Sequence, residues 1–382
     1  MTLLTNAVVI TGSSTVDARS TWVRIEGGLV TGTGAASPHR HPGEDTLDLR
    51  GATVVPGFVD IHTHGGGGHT YATTDVDAAA AARAFHLRAG TTTTLASLVT
   101  EDLDMLELQV RELSPLIDDG TFAGFHLEGP WISRECKGAH NEALLRDPDP
   151  AEINRFLEAG DGRISMLTIA PELPGGLESV RLIADAGAIA AVGHTAASYE
   201  RTLEAVEAGA TVATHLFNGM KPMHHRTPGA VTALLSSPGV TIELIADGHH
   251  LHPGMIEFAV DHAGTRRSVL ITDAMAAAGM GDGDYGLGSM TVEVRGGVAR
   301  LAGNGSIAGS TLTMAAAVKF VVDHVGLSLD DAVQMASVTP ASVLGHYDIG
   351  VIEPGRHADL TVLDADLLAT GVMRHGSWIV TP

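Results

Sequence analysis

Two histidines that end an apolar stretch are the first residues whose types and spacing suggest chemistry. Residues 54–60 are rich in β-branched side chains, His62 and His64 follow them, and residues 65–68 are four glycines. Residues two apart in a strand point to the same face, so both imidazoles would project together and could bind a divalent metal ion. The pair alone is weak evidence, because two histidines beside a turn are about as often packed or solvated.

The rest of the chain alternates between strand-like and helix-like stretches. Helices are predicted at 75–89, 101–116, 179–186, 198–208 and 253–262, and strands at 52–60, 91–98, 122–127, 164–169, 189–192, 211–213, 241–246 and 268–271. Several of the strands are continuous apolar runs, which is typical of parallel strands buried on both faces. Eight such repeats predict an α/β fold, a (β/α)8 TIM barrel. An open doubly wound sheet is less favoured, because no Gly-x-Gly-x-x-Gly follows an early strand.

Polar side chains that could bind a metal follow several of these predicted strands. The carboxyl ends of all strands of a barrel meet at one mouth, so side chains from distant parts of the sequence would converge there. Imidazole and carboxylate ligands suit zinc or iron, and the near absence of thiolate argues against a cysteine-type structural zinc. The candidate metal ligands are His62, His64, Glu128, His194, His215 and Asp273.

The two ends of the chain carry short strands and turns with too little apolar area to stand alone. We expect residues 1–51 and 350–382 to form one discontinuous domain, a small β-sandwich, and residues 52–349 to form the barrel. Residues 276–309 are a glycine-rich insertion with a possible hairpin at 290–301, and helical stretches follow at 312–325 and 330–337.

Composition limits the possible partners and the compartment. The formal net charge of −22 disfavours nucleic acids and anionic membranes as partners. Cys136 is the single cysteine among 382 residues, so no intrachain disulfide can form, which suits a reducing cytoplasm. The sequence shows neither a signal peptide nor an apolar run long enough to span a bilayer, so we expect a cytoplasmic location.

Two further polar stretches surround the predicted mouth. Lys221, His224, His225 and Arg226 form a basic cluster after the sixth predicted strand, which would suit an anionic ligand, although a solvated loop explains it as well. Cys136 lies in the polar loop 133–138, between Arg134 and Lys137, whose charges are expected to lower the pKa of the thiol. It is either an incidental thiol or part of a lid near the substrate.

Seven short motifs resemble a known family. Pro-Gly-Phe-Val-Asp-Ile-His-Thr-His at 56–64 is similar to the first-strand signature of the amidohydrolase superfamily. Together the motifs resemble the N-acetylglucosamine-6-phosphate deacetylases, and Glu128, where many relatives place a carboxylated lysine, points to this branch. The other six motifs are His-Leu-Glu-Gly-Pro-Trp at 126–131, Gly-His-Thr at 193–195, Thr-His-Leu-Phe-Asn-Gly-Met at 214–220, Asp-Gly-His-His at 247–250, Thr-Asp-Ala at 272–274 and Ile-Ala-Gly-Ser at 307–310.

The resemblance implies a reaction and a set of roles. The N-acetyl group of N-acetylglucosamine 6-phosphate would be hydrolysed to glucosamine 6-phosphate and acetate by water that a divalent metal makes more acidic. Glu128, His194 and His215 match the main metal site. His62 and His64 match a second site that only some members have, so one or two metal ions, zinc or iron, are expected, with Glu128 bridging a pair. Asp273 matches the catalytic acid/base and a metal ligand.

The resemblance also implies the substrate contacts. A metal ion or His140 would polarise the acetamide carbonyl, and Arg226 would reach the phosphate from the neighbouring subunit of a homodimer. The partner is therefore a small amino-sugar phosphate. The residues at matching substrate positions are Ala139, His140, Asn218, Gly219, Arg226, Asp247, His250, Ile307, Ala308 and Gly309.

Alternatives from the same superfamily and from a different class stay open. An N-acetylgalactosamine-6-phosphate deacetylase, an aminoacylase or a cyclic amidase would use the same metal ligands. The basic loop favours a sugar phosphate over an unphosphorylated amide, but it does not separate the gluco from the galacto substrate. A non-catalytic binding module on the same fold is disfavoured, because such a protein would lose metal ligands and all six are present.

Overall fold

The computed structural model describes residues 1–16, 19–303 and 305–382, and packing divides the chain into two compact units. One unit contains Met1–Asp60, His86–Thr93 and Thr313–Pro382, and the other contains Ile61–Phe85 and Thr94–Leu312. The predicted domain boundaries near residues 52 and 349 stay a prediction, since compact units need not coincide with the limits of a sheet.

The first unit contains a β-sandwich built from both ends of the chain. Its two sheets share one apolar cluster that includes Leu4 and Val23 from one sheet and Val54, Leu360 and Met373 from the other, which confirms the predicted sandwich. The first sheet has the strand order Leu29–Gly34, Trp22–Glu26, Thr2–Thr5, Asp45–Asp48. The second has the order Ser377–Val380, Ala369–Arg374, Leu360–Leu363, Thr53–Pro56, Val8–Ile10, Arg19–Ser20.

Eight β-α repeats make the predicted (β/α)8 barrel. The second to eighth barrel strands form one sheet in which each strand pairs in parallel with the next along the chain, and the first pairs with Thr91–Thr94, which precedes the second. The barrel strands are Phe58–Asp60, Ala96–Val99, Phe125–Glu128, Ile164–Ile169, Ile189–Val192, Ala210–Ala213, Thr241–Ile245 and Ser268–Ile271. The helices that follow them are Val76–Arg88, Leu103–Asp118, Pro150–Gly160, Gly176–Asp185, Tyr199–Glu207, Gly229–Ser236, Pro253–Ala263 and Met314–Phe320.

The backbone of residues 62–64 links the two edges of the seven-stranded sheet. The Ser97 N–H, in the second barrel strand, donates to the Thr63 carbonyl oxygen at 3.0 Å. Beyond the eighth strand, the Asp273 N–H donates to the His62 carbonyl oxygen at 2.9 Å, and the His64 N–H donates to the Ala274 carbonyl oxygen at 2.8 Å. These bonds close the barrel and fix two histidines at the carboxyl ends of its strands.

The helices form for local reasons that the sequence displays. In Leu103–Asp118 the Asp102 side chain accepts from the Asp104 N–H at the first turn, and Leu106, Val110 and Leu113 repeat at helical spacing on the buried face. The sequence did not predict Gly229–Ser236, because five of its eight residues are buried and no polar face marks the period. It did not predict Pro150–Gly160 either.

The insertion after the eighth barrel strand forms a small antiparallel sheet. Met290–Arg295 and Val298–Leu301 confirm the predicted hairpin, and Gly283–Leu287 adds a third strand that was not predicted. Its apolar side chains pack on Val99 and Met275. The remaining elements are the short strands Gly65–Gly66 and His69–Thr70, the 3-10 turns Arg134–Cys136, Glu142–Leu144 and Thr265–Arg267, the π turns Val321–Val325 and Gln334–Val338, and the helices Leu329–Val333 and Thr339–Val343.

In the described parts of the chain, no helix is both long enough and apolar enough to cross a membrane.

We predict that Gly57→Ala destabilises the protein. A β-carbon at Gly57 would lie 2.2 Å from Thr92 Oγ1 and 2.4 Å from Thr92 Cγ2, so the buried strand pair would have to shift. Overpacking of this kind costs roughly 1–3 kcal/mol of the free energy of unfolding, measured by urea denaturation. Gly239→Ala is the matched control, because a β-carbon there would have no described atom beyond its chain neighbours within 4 Å. Equal stability of the two variants would contradict the prediction.

Candidate active site

The six residues that the sequence marks as metal ligands form two adjoining clusters. His62, His64 and Asp273 make one cluster, and Glu128, His194 and His215 make the other. Within each cluster the ligand atoms of the three side chains lie within 4.8 Å of one another, and all six residues are buried. They lie at the carboxyl ends of several barrel strands, and the members of each cluster come from more than one strand, which is why no local sequence motif contains a complete cluster.

Glu128 faces both clusters. Its Oε1 lies 2.9 Å from His215 Nε2 and 3.1 Å from His194 Nε2, and its Oε2 lies 3.3 Å from His64 Nε2. Asp273 Oδ1 lies 3.1 Å from the same His64 nitrogen. A single carboxylate therefore occupies the space between two groups of imidazoles.

The hydrogen bonds of the histidines fix which nitrogen is free to bind a metal. His64 Nδ1 lies 3.1 Å from the Ser97 carbonyl oxygen, and His194 Nδ1 lies 2.8 Å from the Cys136 carbonyl oxygen. A carbonyl oxygen only accepts, so Nδ1 carries the hydrogen in both rings, and the Nε2 lone pairs point into the clusters.

The clusters have the chemistry of divalent-metal sites. The Nε2 atoms of His62 and His64 lie 3.2 Å apart, and those of His194 and His215 lie 3.1 Å apart, which is unfavourable for facing lone pairs unless a positive charge lies between them. Burial would lower the pKa of His64, yet the Asp273 and Glu128 carboxylates raise it to about 9. The site thus stabilises positive charge, and imidazole and carboxylate donors suit a divalent ion.

Two further titratable groups of the site, Asp273 and His140, differ in charge at neutral pH. Burial would raise the pKa of Asp273, but its hydrogen bond with His64 and the charge of His62 hold that pKa well below the usual range, so it is a carboxylate at neutral pH. Burial and the neighbouring His194 lower the pKa of His140 to about 4 despite the opposing charge of Glu128, so this ring is neutral. Its Nδ1 lies 2.8 Å from Thr100 Oγ1.

Three of the six residues have an unusual backbone conformation. The φ angles of His194, His215 and Asp273 are 45°, 27° and 48°, in the left-handed region that residues other than glycine rarely adopt. Tight backbone contacts surround them: the Ser310 N–H donates to the Asp273 carbonyl oxygen at 2.7 Å. At Gly219, a β-carbon would come within 2.7 Å of His194 Nδ1, so only glycine fits beside that ring.

A cavity of about 340 Å³ opens on the clusters. Several residues that line the cavity were not predicted from the sequence. Two of them, Leu287 and Met290, belong to the inserted sheet and carry no motif. The others are Val99, Thr100, Gly138, Asn141 and Ser306. The predicted site residues that line the cavity are His64, Glu128, Ala139, His140, His194, His215, Asn218, Gly219, His250, Asp273, Ile307 and Gly309.

Five predicted site residues are not among the described residues that line the cavity. His62 and Ala308 are fully buried. Asp247 contacts a lining residue, since its Oδ2 lies 2.7 Å from His250 Nδ1. Arg226 is exposed, with its guanidinium 2.9 Å from His225 Nε2, and Cys136 lies in the 3-10 turn Arg134–Cys136.

Positive charge in the described cavity wall comes from histidine. No Lys or Arg is among the described lining residues, and Lys221 of the predicted basic cluster is paired with Glu135 at 3.0 Å. Burial would lower the pKa of His250, but the hydrogen bond and negative charge of Asp247 raise it. Asp247 therefore favours an imidazolium at this wall.

The prediction that basic neighbours lower the pKa of Cys136 is wrong. Burial and the charges of Glu172 and Glu135 raise the pKa of the thiol to about 11. The basic neighbours are engaged elsewhere: Arg134 donates to the Leu145 carbonyl oxygen at 2.5 Å, and Lys137 lies 3.5 Å from Glu142.

Comparison with known proteins decides the family. The amidohydrolase family profile matches residues 53–378. The chain belongs to the amidohydrolase family. It is 33% identical to an N-acetylglucosamine-6-phosphate deacetylase of Lysinibacillus sphaericus, over 98% of this chain and 96% of that one. It is 36% identical to an N-acetylgalactosamine-6-phosphate deacetylase of Escherichia coli O157:H7, over 82% of this chain and 84% of that one.

A solved deacetylase structure matches the fold along the whole chain. A mutant N-acetyl-D-glucosamine-6-phosphate deacetylase of Mycobacterium smegmatis, in complex with N-acetyl-D-glucosamine-6-phosphate, superposes with a TM-score of 0.94. Its sequence is 46% identical, and the match covers 100% of this chain and 99% of that one. The similarity includes the β-sandwich as well as the barrel of this amidohydrolase.

We predict that the Cys136 thiol reacts slowly with iodoacetamide. The pKa of about 11 leaves about 100-fold less thiolate at pH 7.5 than an ordinary cysteine has. Alkylation followed by mass spectrometry, with urea-unfolded protein as the reference, measures the difference. A native rate equal to the unfolded rate would contradict the assignment.

Proposed function

We propose that this amidohydrolase removes the N-acetyl group of N-acetylglucosamine 6-phosphate, giving glucosamine 6-phosphate and acetate. The observation that carries the proposal is a pair of adjoining metal-type clusters at the wall of a cavity of about 340 Å³, one with the Asp273 carboxylate and the other with Glu128. Relatives named for this activity align along nearly the whole chain.

One or two divalent ions, zinc or iron, complete the proposed centre. Glu128, His194 and His215 would hold the main ion, and His62 and His64 would hold a second, with Glu128 shared between them. A bound divalent ion supplies a Lewis acid that makes water more acidic and polarises the amide carbonyl.

Asp273 is the proposed acid and base. Because its low pKa keeps it ionised, it can take a proton from the attacking water, and it then returns that proton to the nitrogen of the breaking amide bond. The amine needs this proton in order to leave. His140 is neutral and lies at the cavity wall, so it is placed to donate a hydrogen bond to the acetamide carbonyl oxygen.

The substrate contacts follow from the cavity wall. Asn218, the Gly219 backbone and the His250 imidazolium would receive the phosphate, with Asp247 acting through His250. Ala139, His140, Ile307 and Gly309 would contact the sugar, with Ala308 packed behind them.

A phosphate dianion needs more positive charge than this wall offers. The described lining residues include no Lys or Arg, while Arg226 is exposed with its side chain near His225. We propose a homodimer in which Arg226 reaches the phosphate in the neighbouring subunit, where its planar fork suits phosphate oxygens.

Cys136, with a protonated thiol, is proposed as part of the loop that borders the site. The unpaired thiol also fits the proposed cytoplasmic location.

The alternatives are three enzymes with other substrates and a non-catalytic binding module. The Escherichia coli relative is named for the galacto isomer, so N-acetylgalactosamine 6-phosphate is the second candidate. Aminoacylases and cyclic amidases need no phosphate contact, which leaves the His250–Asp247 pair without a role. A non-catalytic binding module would not need the complete ligand set that both clusters retain.

The decisive measurement is kcat/KM for N-acetylglucosamine 6-phosphate, read as acetate released by metal-loaded protein. Asp273→Asn should lower it by about 10²–10⁴-fold, because the amide side chain cannot carry the proton. Asp261→Asn, on the exposed face of Pro253–Ala263, is the matched control and should leave kcat/KM unchanged.

The same assay separates the alternatives. A higher kcat/KM for N-acetylgalactosamine 6-phosphate would make that sugar the preferred substrate. An equal kcat/KM for unphosphorylated N-acetylglucosamine would contradict the proposed phosphate contacts. Metal-loaded protein that hydrolyses none of the three sugars would overturn the proposal and direct the search to cyclic amides and acylated amino acids.

Mixed dimers test the role of Arg226. Arg226→Ala alone should raise KM by about 10–100-fold, because charge-assisted hydrogen bonds are lost. In a hybrid with an Asp273→Asn subunit, one of the two sites combines an intact Asp273 with the partner's intact Arg226, so activity should return. Co-expression with two different tags yields the hybrid. Hybrids that stay as inactive as their parents, or a monomeric protein in sedimentation, would exclude the cross-subunit role.

A further inference from the structure

A buried glutamate that no motif marks lies behind both metal-type clusters. Glu243 is in the seventh barrel strand, Thr241–Ile245, and its side chain is fully buried. One oxygen, Oε2, lies 3.0 Å from His62 Nδ1 and also accepts the backbone N–H of His215 at 3.0 Å. His62 belongs to one cluster and His215 to the other, so a single carboxylate oxygen contacts both.

We propose that Glu243 is a positioning residue that orients a ligand of each metal site and sets the affinity of both. The inference rests on the proposed function only in requiring that the two clusters bind divalent metal. It adds a residue that acts through His62 and His215 and touches neither substrate nor metal.

The contact with His62 fixes its tautomer. A carboxylate oxygen accepts, so Nδ1 of His62 carries the hydrogen and the Nε2 lone pair points toward Glu128 and Asp273, whose nearest oxygens are each 3.6 Å away. His64 and His194 are oriented in the same way, but by neutral backbone carbonyls. A charged acceptor also makes the imidazole a stronger ligand, so His62 should depend on its partner most.

The contact with His215 stabilises an uncommon backbone turn. His215 has a φ of 27°, and two successive N–H groups at this turn donate to Glu243. The His215 N–H donates to the side chain, and the Leu216 N–H donates to the Glu243 carbonyl oxygen at 2.9 Å. Loss of the carboxylate would release the first of these bonds and let the His215 ring move relative to Glu128.

Stability alone does not explain a carboxylate at this position. The Glu243 side chain is fully buried, and burying a charge costs free energy unless all its polar atoms are partnered. The other oxygen, Oε1, has no hydrogen-bond partner in the described structure. An apolar residue would fill the space at lower cost, but it would remove the oxygen that contacts His62 Nδ1 and accepts from the His215 N–H.

Metal affinities of two Glu243 variants test the inference. Glu243→Leu removes the acceptor, and we expect the metal dissociation constant at the His62–His64 site to rise by roughly 10–100-fold. Glu243→Gln keeps an acceptor oxygen of the same size but loses the charge, so a smaller rise of roughly 3–10-fold is expected. Competition with a chelator, on purified protein reloaded with zinc, measures both constants. Glu152→Gln is the matched control, because Glu152 lies in the helix Pro150–Gly160 and accepts from Trp131, so both affinities should stay unchanged.

A His62→Ala background separates the two contacts. This variant retains only the site of Glu128, His194 and His215, so any effect of Glu243→Leu on the remaining ion reports the His215 turn. We expect a rise of several-fold in that dissociation constant.

A spectroscopic signature distinguishes positioning from general destabilisation. In metal-free protein, at a pH high enough for both rings to be neutral, long-range ¹H–¹⁵N spectra report the histidine tautomers, and His62 should lose its Nδ1–H state in Glu243→Leu while His64 keeps its own. Circular dichroism establishes that each variant is folded, and Glu243→Gln carries the test if the leucine variant does not fold.

The outcomes separate this inference from the proposed function. Folded Glu243 variants with unchanged metal affinities and an unchanged His62 tautomer would overturn the inference and leave the function intact. Wild-type protein that binds metal but does not hydrolyse the sugar phosphate would overturn the function, while a selective loss of affinity in the Glu243 variants would still support the positioning role.

Discussion

Closure of the barrel and delivery of the first two histidines depend on the same backbone hydrogen bonds. Residues 62–64 bond to Ser97 on one edge of the seven-stranded sheet and to Asp273 and Ala274 beyond the other edge. Since the backbone is fixed on both sides, the imidazoles of His62 and His64 have little freedom, and Asp273 is held at a set distance from them. The site is therefore as rigid as the barrel itself, which suits catalysis by preorganised groups.

The concentration of charge at the strand ends has to be balanced within the site. Glu128 and Asp273 are buried carboxylates whose pKa values fall well below the usual range because imidazoles surround them. His64 responds with a raised pKa, whereas His140 is neutral. Divalent metal satisfies the same electrostatic demand as the protons on these rings. Metal binding and proton transfer are thus linked through a few shared side chains.

Strand positions were predictable wherever burial on both faces left a continuous apolar run. Ile164–Ile169, Ile189–Val192 and Ser268–Ile271 have the predicted limits. The sandwich strands Leu29–Gly34 and Ala369–Arg374 were not predicted, because edge strands with mixed polarity carry little periodicity. The six metal-type ligands were identifiable because each follows a strand. Leu287, Met290 and Glu243 were not identifiable, since no motif in their local sequence distinguishes a residue that lines the cavity, or one that contacts a metal ligand, from an ordinary core residue.

The sequence by itself determined the fold class, the family and the residue types of the site, because apolar periodicity and short motifs are local properties of the chain. Only the tertiary structure decided how those residues act together. The pKa of Cys136 rises because the thiol is buried and because Glu172, distant in sequence, lies near it, while its basic sequence neighbours bond elsewhere. Glu243 contacts His62 and His215 because three barrel strands, far apart in sequence, bring them together. Distances between such residues depend on packing across the whole barrel, which no local pattern encodes.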